Sequence, residues 1–258
     1  MKLRSTETAS ASFAVSGSKK ALCALAVLIA VSFLSACELP KTSTEKLIEG
    51  NNYFRKGDYV KAEAAYRETL KLDPNNATAK NNLGVILNEL GKYDEAIAIL
   101  DQAIKIDSKN AIAHYVLARA LKEKGLYDRA MSEASIATEL DRTDPIGFRT
   151  LGEVALNKGN LDVAIEALDA AVRLDDTNDM THCHLAQALH LKGDIEAEMV
   201  EWHKALEINP NNNKARVGLA LALSSQGYRD DAVEQLEEAV KVEPKNKELG
   251  QMLESLKK

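Results

Sequence analysis

The chain has 258 residues, 45% apolar, 28% charged and only 5% aromatic, with a formal charge of −6 at pH 7. The apolar fraction is ample for a packed core. A nucleic-acid binder would gather Lys and Arg into a basic surface, and this acidic chain with mixed signs excludes nucleic acid as a partner. In chain order, the first feature is an address. Lys19-Lys20 precede a run from Ala21 to Ala36 that carries no charge and is short for a membrane span. A basic flank, an apolar centre and a small-residue end make residues 1–36 a signal peptide. Four basic residues and one acidic residue lie in that leader, so the remainder carries 29 basic against 38 acidic residues.

Beyond a short tether, 37–42, one interval dominates. Gly57, Gly91, Gly125, Gly159, Gly193 and Gly227 stand 34 residues apart. A fixed period of this length means one helix-turn-helix unit copied in tandem. Placing each glycine fifteenth gives six units without insertions: 43–76, 77–110, 111–144, 145–178, 179–212 and 213–246. The eighth position is always small (Gly50, Gly84, Ala118, Gly152, Ala186, Ala220), and the twentieth is Ala in five units, with Glu198 in the fifth. Small residues there let the two helix axes approach. Tyr66, Leu100, Leu168, Trp202 and Leu236 fill the space beside them. Glycine supplies a left-handed turn cheaply, and Pro74, Pro210 and Pro244 end second helices because proline cannot continue the ladder. One such pair cannot bury its apolar face alone, so neighbours must stack. Residues 247–258 follow as a capping helix, with Leu249, Met252, Leu253 and Leu256 on one face.

These residues and their spacing resemble the tetratricopeptide repeat over 43–246. The resemblance implies an all-α, right-handed solenoid of six helix pairs plus a cap. Two departures stand out. The aromatic often found at position four is Lys46, Lys80, His114, Phe148, His182 and Arg216 here. Glu198 occupies a small-residue position, and its stem is expected to reach water. The string Leu34-Ser35-Ala36-Cys37 resembles the lipobox of bacterial lipoproteins, which implies lipidation at Cys37 and anchoring to a membrane. By the same resemblance Glu38, rather than Asp, favours the periplasmic face of the outer membrane over the inner membrane.

Chemistry finds little footing. There is no Gly-rich phosphate loop and no nucleophile elbow. Cys183 is the one cysteine beyond the leader and the lipobox, and a lone cysteine in a helix reads as a small packing residue. His182, Cys183, His184 and His190 suggest metal by composition, but His182 and His184 are two apart on a helix and point to different sides. Neither a metal site, a cofactor nor catalysis is expected.

In proteins with this repeat the first helices line a concave surface, facing it with positions two, five, nine, twelve and thirteen. The row at position two contains Ile112, Ile146 and Met180; beside it stand Tyr115, Arg119 and Arg149, with Asn51, Asn81, Asn82 and Gln187 along the same face. Two readings stay open. The apolar row packs against the preceding loops while Arg119 pairs with Glu153, or the row is a track for a protein or peptide segment. Asn51 and Asn82 fit a carboxylate clamp, but Leu47, Ile112 and Val116 occupy the places of its three cations, and no asparagine ladder runs through position six. The expected function is a membrane-anchored scaffold for protein–protein assembly in the envelope. In layout it is similar to the lipoprotein pilotins of type IV pili and to lipoproteins of tight-adherence pilus systems. The alternative is an adaptor that docks murein enzymes.

Overall fold

The computed structural model describes residues 41–258, so the leader, Cys37 and most of the tether lie outside the described residues. These form thirteen helices and no strand: α1 Ser43–Arg55, α2 Tyr59–Leu72, α3 Ala77–Glu89, α4 Tyr93–Ile106, α5 Ala111–Glu123, α6 Tyr127–Leu140, α7 Pro145–Lys158, α8 Leu161–Leu174, α9 Asp179–Lys192, α10 Ile195–Ile208, α11 Asn213–Ser225, α12 Arg229–Val242 and α13 Lys247–Lys257. Odd helices to α11 are the first of each pair, even helices the second. None of them is long and apolar enough to cross a membrane.

Two kinds of residue set each pair. The six periodic glycines all have positive φ, from 70° at Gly91 to 85° at Gly193, which other L-residues adopt only with strain. A second period, not singled out in the sequence reading, starts the first helices. Asn76, Asn110, Asp144, Asn178, Asn212 and Asn246 are also 34 apart, and each side chain caps the helix that follows. Asn76 Oδ1 accepts from Ala79 N at 2.9 Å, and Asn212 Oδ1 from Ala215 N at 3.0 Å. Thr42 begins α1 with a reciprocal capping box to Glu45. Each such cap contributes about 0.5–2 kcal/mol.

Close approach of the axes is built as the small positions imply. A Cβ added to Gly50 would lie 2.5 Å from Tyr66 Cε1, one on Gly84 2.5 Å from Leu100, and one on Gly152 2.4 Å from Leu168. The fifth unit differs. Trp202 fits beneath Gly218 of the next unit, where a Cβ would come within 2.3 Å of the indole. Glu198 does not reach water as expected. It is 2% exposed, because Trp202 Nε1 donates to Oε1 at 3.1 Å and His190 Nδ1 lies 3.0 Å from Oε2. Both oxygens are occupied, so the carboxylate is held inside.

In three units position four turns out to be a polar latch. His114 Nδ1 lies 2.7 Å from Glu133 and its Nε2 3.2 Å from the Ser108 carbonyl; His182 repeats this with Glu201 at 2.6 Å and the Asp176 carbonyl at 3.2 Å. Arg216 does likewise with Gln235 and the Pro210 carbonyl. Each latch ties the first helix to the second and to the preceding loop. Both partners of each histidine are acceptors, so both ring nitrogens donate and the imidazolium is the form that fits. The hydrogen bond to Glu133 or Glu201 accordingly raises the pKa of His114 and of His182 against the opposing effect of burial.

Stacking carries the rest. The first helices touch directly from α3 to α5, α5 to α7, α7 to α9 and α9 to α11, while contacts of that extent do not link the second helices. The first helices therefore line the inner, concave side. Leu249 of α13 is buried, and Met252, Leu253 and Leu256 pack against the cluster containing Leu236 and Leu219.

Candidate peptide-binding groove

The concave face is built from residues at fixed places on α1, α3, α5, α7, α9 and α11. Position two is open to solvent in every unit: Thr44, Thr78, Ile112, Ile146, Met180 and Lys214. Ile112, Ile146 and Met180 are 44%, 37% and 37% exposed, so this row does not pack away against the preceding loops. Tyr115 and Arg149, one turn further along, are half-buried beside it. Burial raises the pKa of the Tyr115 hydroxyl.

Arg119 pairs with Glu89 of the preceding unit at 3.4 Å, not with Glu153. Glu153 is taken by Lys122, whose Nζ donates at 2.9 Å, and His184 Nδ1 stands 3.4 Å away without the alignment of a hydrogen bond. Burial drives the His184 pKa down to about 4, so its ring is neutral near pH 7. Burial by itself would raise the Glu153 pKa, but its positive neighbours, Lys122 and Arg149 among them, outweigh it and the carboxyl stays ionised.

At the first end three amides form a chain of hydrogen bonds that leaves Asn81 Oδ1 without a partner. Asn51 Oδ1 accepts from Tyr66 Oη at 2.8 Å and from Asn82 Nδ2 at 3.0 Å, and Asn81 Nδ2 donates to Asn82 at 3.3 Å. Asn81, at the repeat position that Tyr115 and Arg149 hold in later units, is buried, and its Oδ1 has no hydrogen-bond partner. Gln187 is half-buried further along the face. Cys183 is fully buried, accepts from Asn212 Nδ2 at 3.3 Å, and burial lifts its pKa to about 11, which suits a packing residue. The three histidines of α9 face three different carboxylates, Glu201, Glu153 and Glu198. Among the described residues no group of three His, Cys, Asp or Glu is placed to hold a metal ion.

Position two includes Lys214 and position twelve includes Lys122, so the sequence puts both on groove-facing rows, but the rows alone give no sign of their link to Glu153 or of the place of His184 beside them. A signal existed. Lys122 to Glu153, Glu153 to His184 and Asn51 to Asn82 are each 31 residues apart. One repeat less one helical turn brings two side chains together across adjacent first helices.

Sequence profiles of the tetratricopeptide repeat match residues 49–111 and 149–213, 87–151, and 214–246. Among curated proteins, the stress-induced-phosphoprotein 1 of Caenorhabditis elegans is 41% identical over 51 residues, which is 20% of this chain. The chain spans only 16% of the length of that relative. Among solved structures, pilF of Pseudomonas aeruginosa superposes with a TM-score of 0.71 at 19% identity, over 83% of this chain and 97% of that one. YrrB, a tetratricopeptide repeat protein described as having an unusual peptide-binding site, gives 0.59 at 20% identity, over 73% of this chain and 97% of its own. Periodic turn glycines, small residues at the axis contacts and profiles that together run from 49 to 246 agree: this chain belongs to the tetratricopeptide repeat family.

Proposed function

We propose that this chain is a membrane-anchored scaffold whose concave groove grips a segment of a partner protein during assembly of an envelope complex. The observation that carries the reading is the exposed row Ile112, Ile146 and Met180, open to solvent beside Tyr115 and Arg149. An apolar row on the concave face, beside an aromatic and a cation, is a surface that one partner strand or helix covers in a single event. Repeats of this family generally serve as non-enzymatic interaction scaffolds, and the residues on this face fit binding better than catalysis. The lipobox at Leu34–Cys37 supports an anchor on the periplasmic face of the outer membrane. A lipobox followed by six repeats directs the reading to pilus or secretin biogenesis, and the near-complete coverage of pilF adds a common length and fold.

Aromatic and Arg side chains at the centre of an interface often cost about 2 kcal/mol or more when truncated. Tyr115→Ala combined with Arg149→Ala should therefore abolish co-purification of the envelope partner while circular dichroism keeps its helical signal. Lys247→Ala, on the remote cap, should change nothing. Retention of every partner by the double variant would refute the groove reading. With a secretin as partner, the variant lowers outer-membrane multimers. With a murein enzyme, multimers stay normal and wall turnover changes.

A further inference from the structure

One unit is held together differently from the rest. Of the twelve buried polar or charged residues among those described, the fifth unit, 179–212, holds five: Thr181, His182, Glu198, Glu201 and Asn212. No other unit holds more than three. Two of its acids face two of its histidines across the pair: His182 Nδ1 lies 2.6 Å from Glu201, and His190 Nδ1 3.0 Å from Glu198. At the same four positions the fourth unit carries Phe148, Ala167, Leu156 and Ala164, all apolar. The largest apolar side chain of α10 turns outward as well. Trp202 lies against Gly218 of the next unit, whereas its counterparts Tyr66, Leu100 and Leu168 each lie against a glycine of their own unit.

The apolar core divides at the same place. One cluster runs from Tyr66 through Leu100 and Leu117 to Val154, and a second joins Leu168 to Leu185 and Leu189 of α9. Met131 packs against both. The third holds Trp202, Leu219 and Leu236 and shares no residue with the second. α9 is split between them, with Cys183 and Ala186 in the third and Leu185 and Leu189 in the second, while α10 reaches the second cluster with Ala197 alone. Burying charged partners costs much of what their attraction contributes. Polar contacts therefore hold α9 and α10 in register with less net stabilisation than an apolar seam gives. In a stacked array stability is a sum over units and their interfaces, so one weak seam separates blocks that open independently.

We propose that the solenoid moves as two blocks, α1–α9 and α10–α13, hinged at the polar seam between α9 and α10. A cavity of about 350 Å³ lies over that seam, with Leu156, Gln187 and Leu191 on one side and Trp202, Val217 and Leu221 on the other. Opening of the seam widens the far end of the groove, while the row Ile112, Ile146 and Met180, on α5, α7 and α9, keeps its shape. The hinge is independent of what the groove binds.

Trp202 is the single tryptophan of the chain, so its emission follows the far block. In a urea titration of the purified full chain, that emission should change at a lower midpoint than far-UV ellipticity, which follows all thirteen helices. Native-state hydrogen exchange should show the amides of 195–246 opening together, at least about tenfold more often than those of 77–144. Leu236→Ala, in the core of the sixth unit, should raise exchange across 195–246 and leave 77–192 unchanged. Coincident midpoints in the wild type, or an emission midpoint above that of ellipticity, overturn the hinge without recourse to any variant. A Leu236→Ala effect that spreads through 77–192 means one cooperative array, and one confined to 213–258 means fraying from the end. Either result also overturns the hinge.

Discussion

His114 and His182 are buried in latches that only the doubly protonated ring completes, and the pH dependence follows with a definite sign. Their folded pKa values lie above the ordinary histidine value, so their stabilisation is full below about pH 6.5 and is lost as pH rises through the raised values. His184 runs the other way: its folded pKa of about 4 makes it destabilising to acidify, and it is silent above the unfolded value. Above about pH 6.5, up through the raised values, the two latches therefore act without it. Urea midpoints over that window should fall for the wild type and stay flatter for His114→Gln with His182→Gln. At pH 6.5 each lost charged hydrogen bond should cost about 1.5–3 kcal/mol. A wild-type midpoint as flat as that of the variant would contradict the latches. Glu198 supplies a second test. A misfit carboxylate would make Glu198→Ala stabilising. Since it accepts from Trp202 and lies against His190, the substitution should instead destabilise by about 1–3 kcal/mol, with a change in Trp202 emission. Neither role was legible in the sequence, because a position-by-position comparison marks His114, His182 and Glu198 only as departures. The latch partners Glu133, Glu201 and Gln235 do share one repeat position, 19 residues beyond His114, His182 and Arg216, but only the structure shows that the two positions meet, and those of Glu198 lie on a neighbouring turn and helix.

At the scale of the helix pair, sequence and structure agree most closely, and the reason is packing. The turn glycines and the small residues that face Tyr66, Leu100 and Leu168 are each forced by one geometric need repeated at one interval, so period alone reveals them. The capping asparagines were equally periodic, and noticing them would have fixed the start of every first helix. Contacts between units were harder to see, since they run at 31 residues across the groove and at about 30 on the rim, where Lys124 pairs with Asp94 and Lys158 with Asp128. Those rim pairs are exposed and contribute little, about 0–1 kcal/mol each. The buried contacts dominate. Ala164 is fully buried against the first helix of its own unit, so Ala164→Leu should overpack it and cost about 1–3 kcal/mol. Deleting 247–258 removes the buried Leu249 and strips Met252, Leu253 and Leu256 from the last core cluster. The truncated protein should aggregate in light scattering at concentrations where the intact chain stays monodisperse. Unchanged melting of Ala164→Leu, together with a soluble truncation, would mean that the assigned register is wrong.

For the whole molecule, what matters is where the stack is held. The tether from Glu38 to Thr42 is five residues, which extend to at most about 18 Å. With Cys37 lipidated, α1 is kept near the bilayer and α11 lies at the far end of the groove. Each buried lipid methylene contributes about 0.8 kcal/mol, and two or more chains make the attachment stable. A partner that enters between Ile112 and Lys214 is then gripped at a set remove from the membrane, which suits a scaffold that positions another envelope protein. This account makes one demand on the N-terminus. Cys37→Ala should block lipidation and leave an unprocessed precursor, seen as a mature mass that still includes the leader and as loss from the detergent phase on partitioning. The groove itself should survive, so the soluble variant should still bind its partner in vitro while failing to place it in the envelope. A wild-type protein that retains its leader would end the lipoprotein reading, and binding lost together with anchoring would show that groove and anchor are not independent.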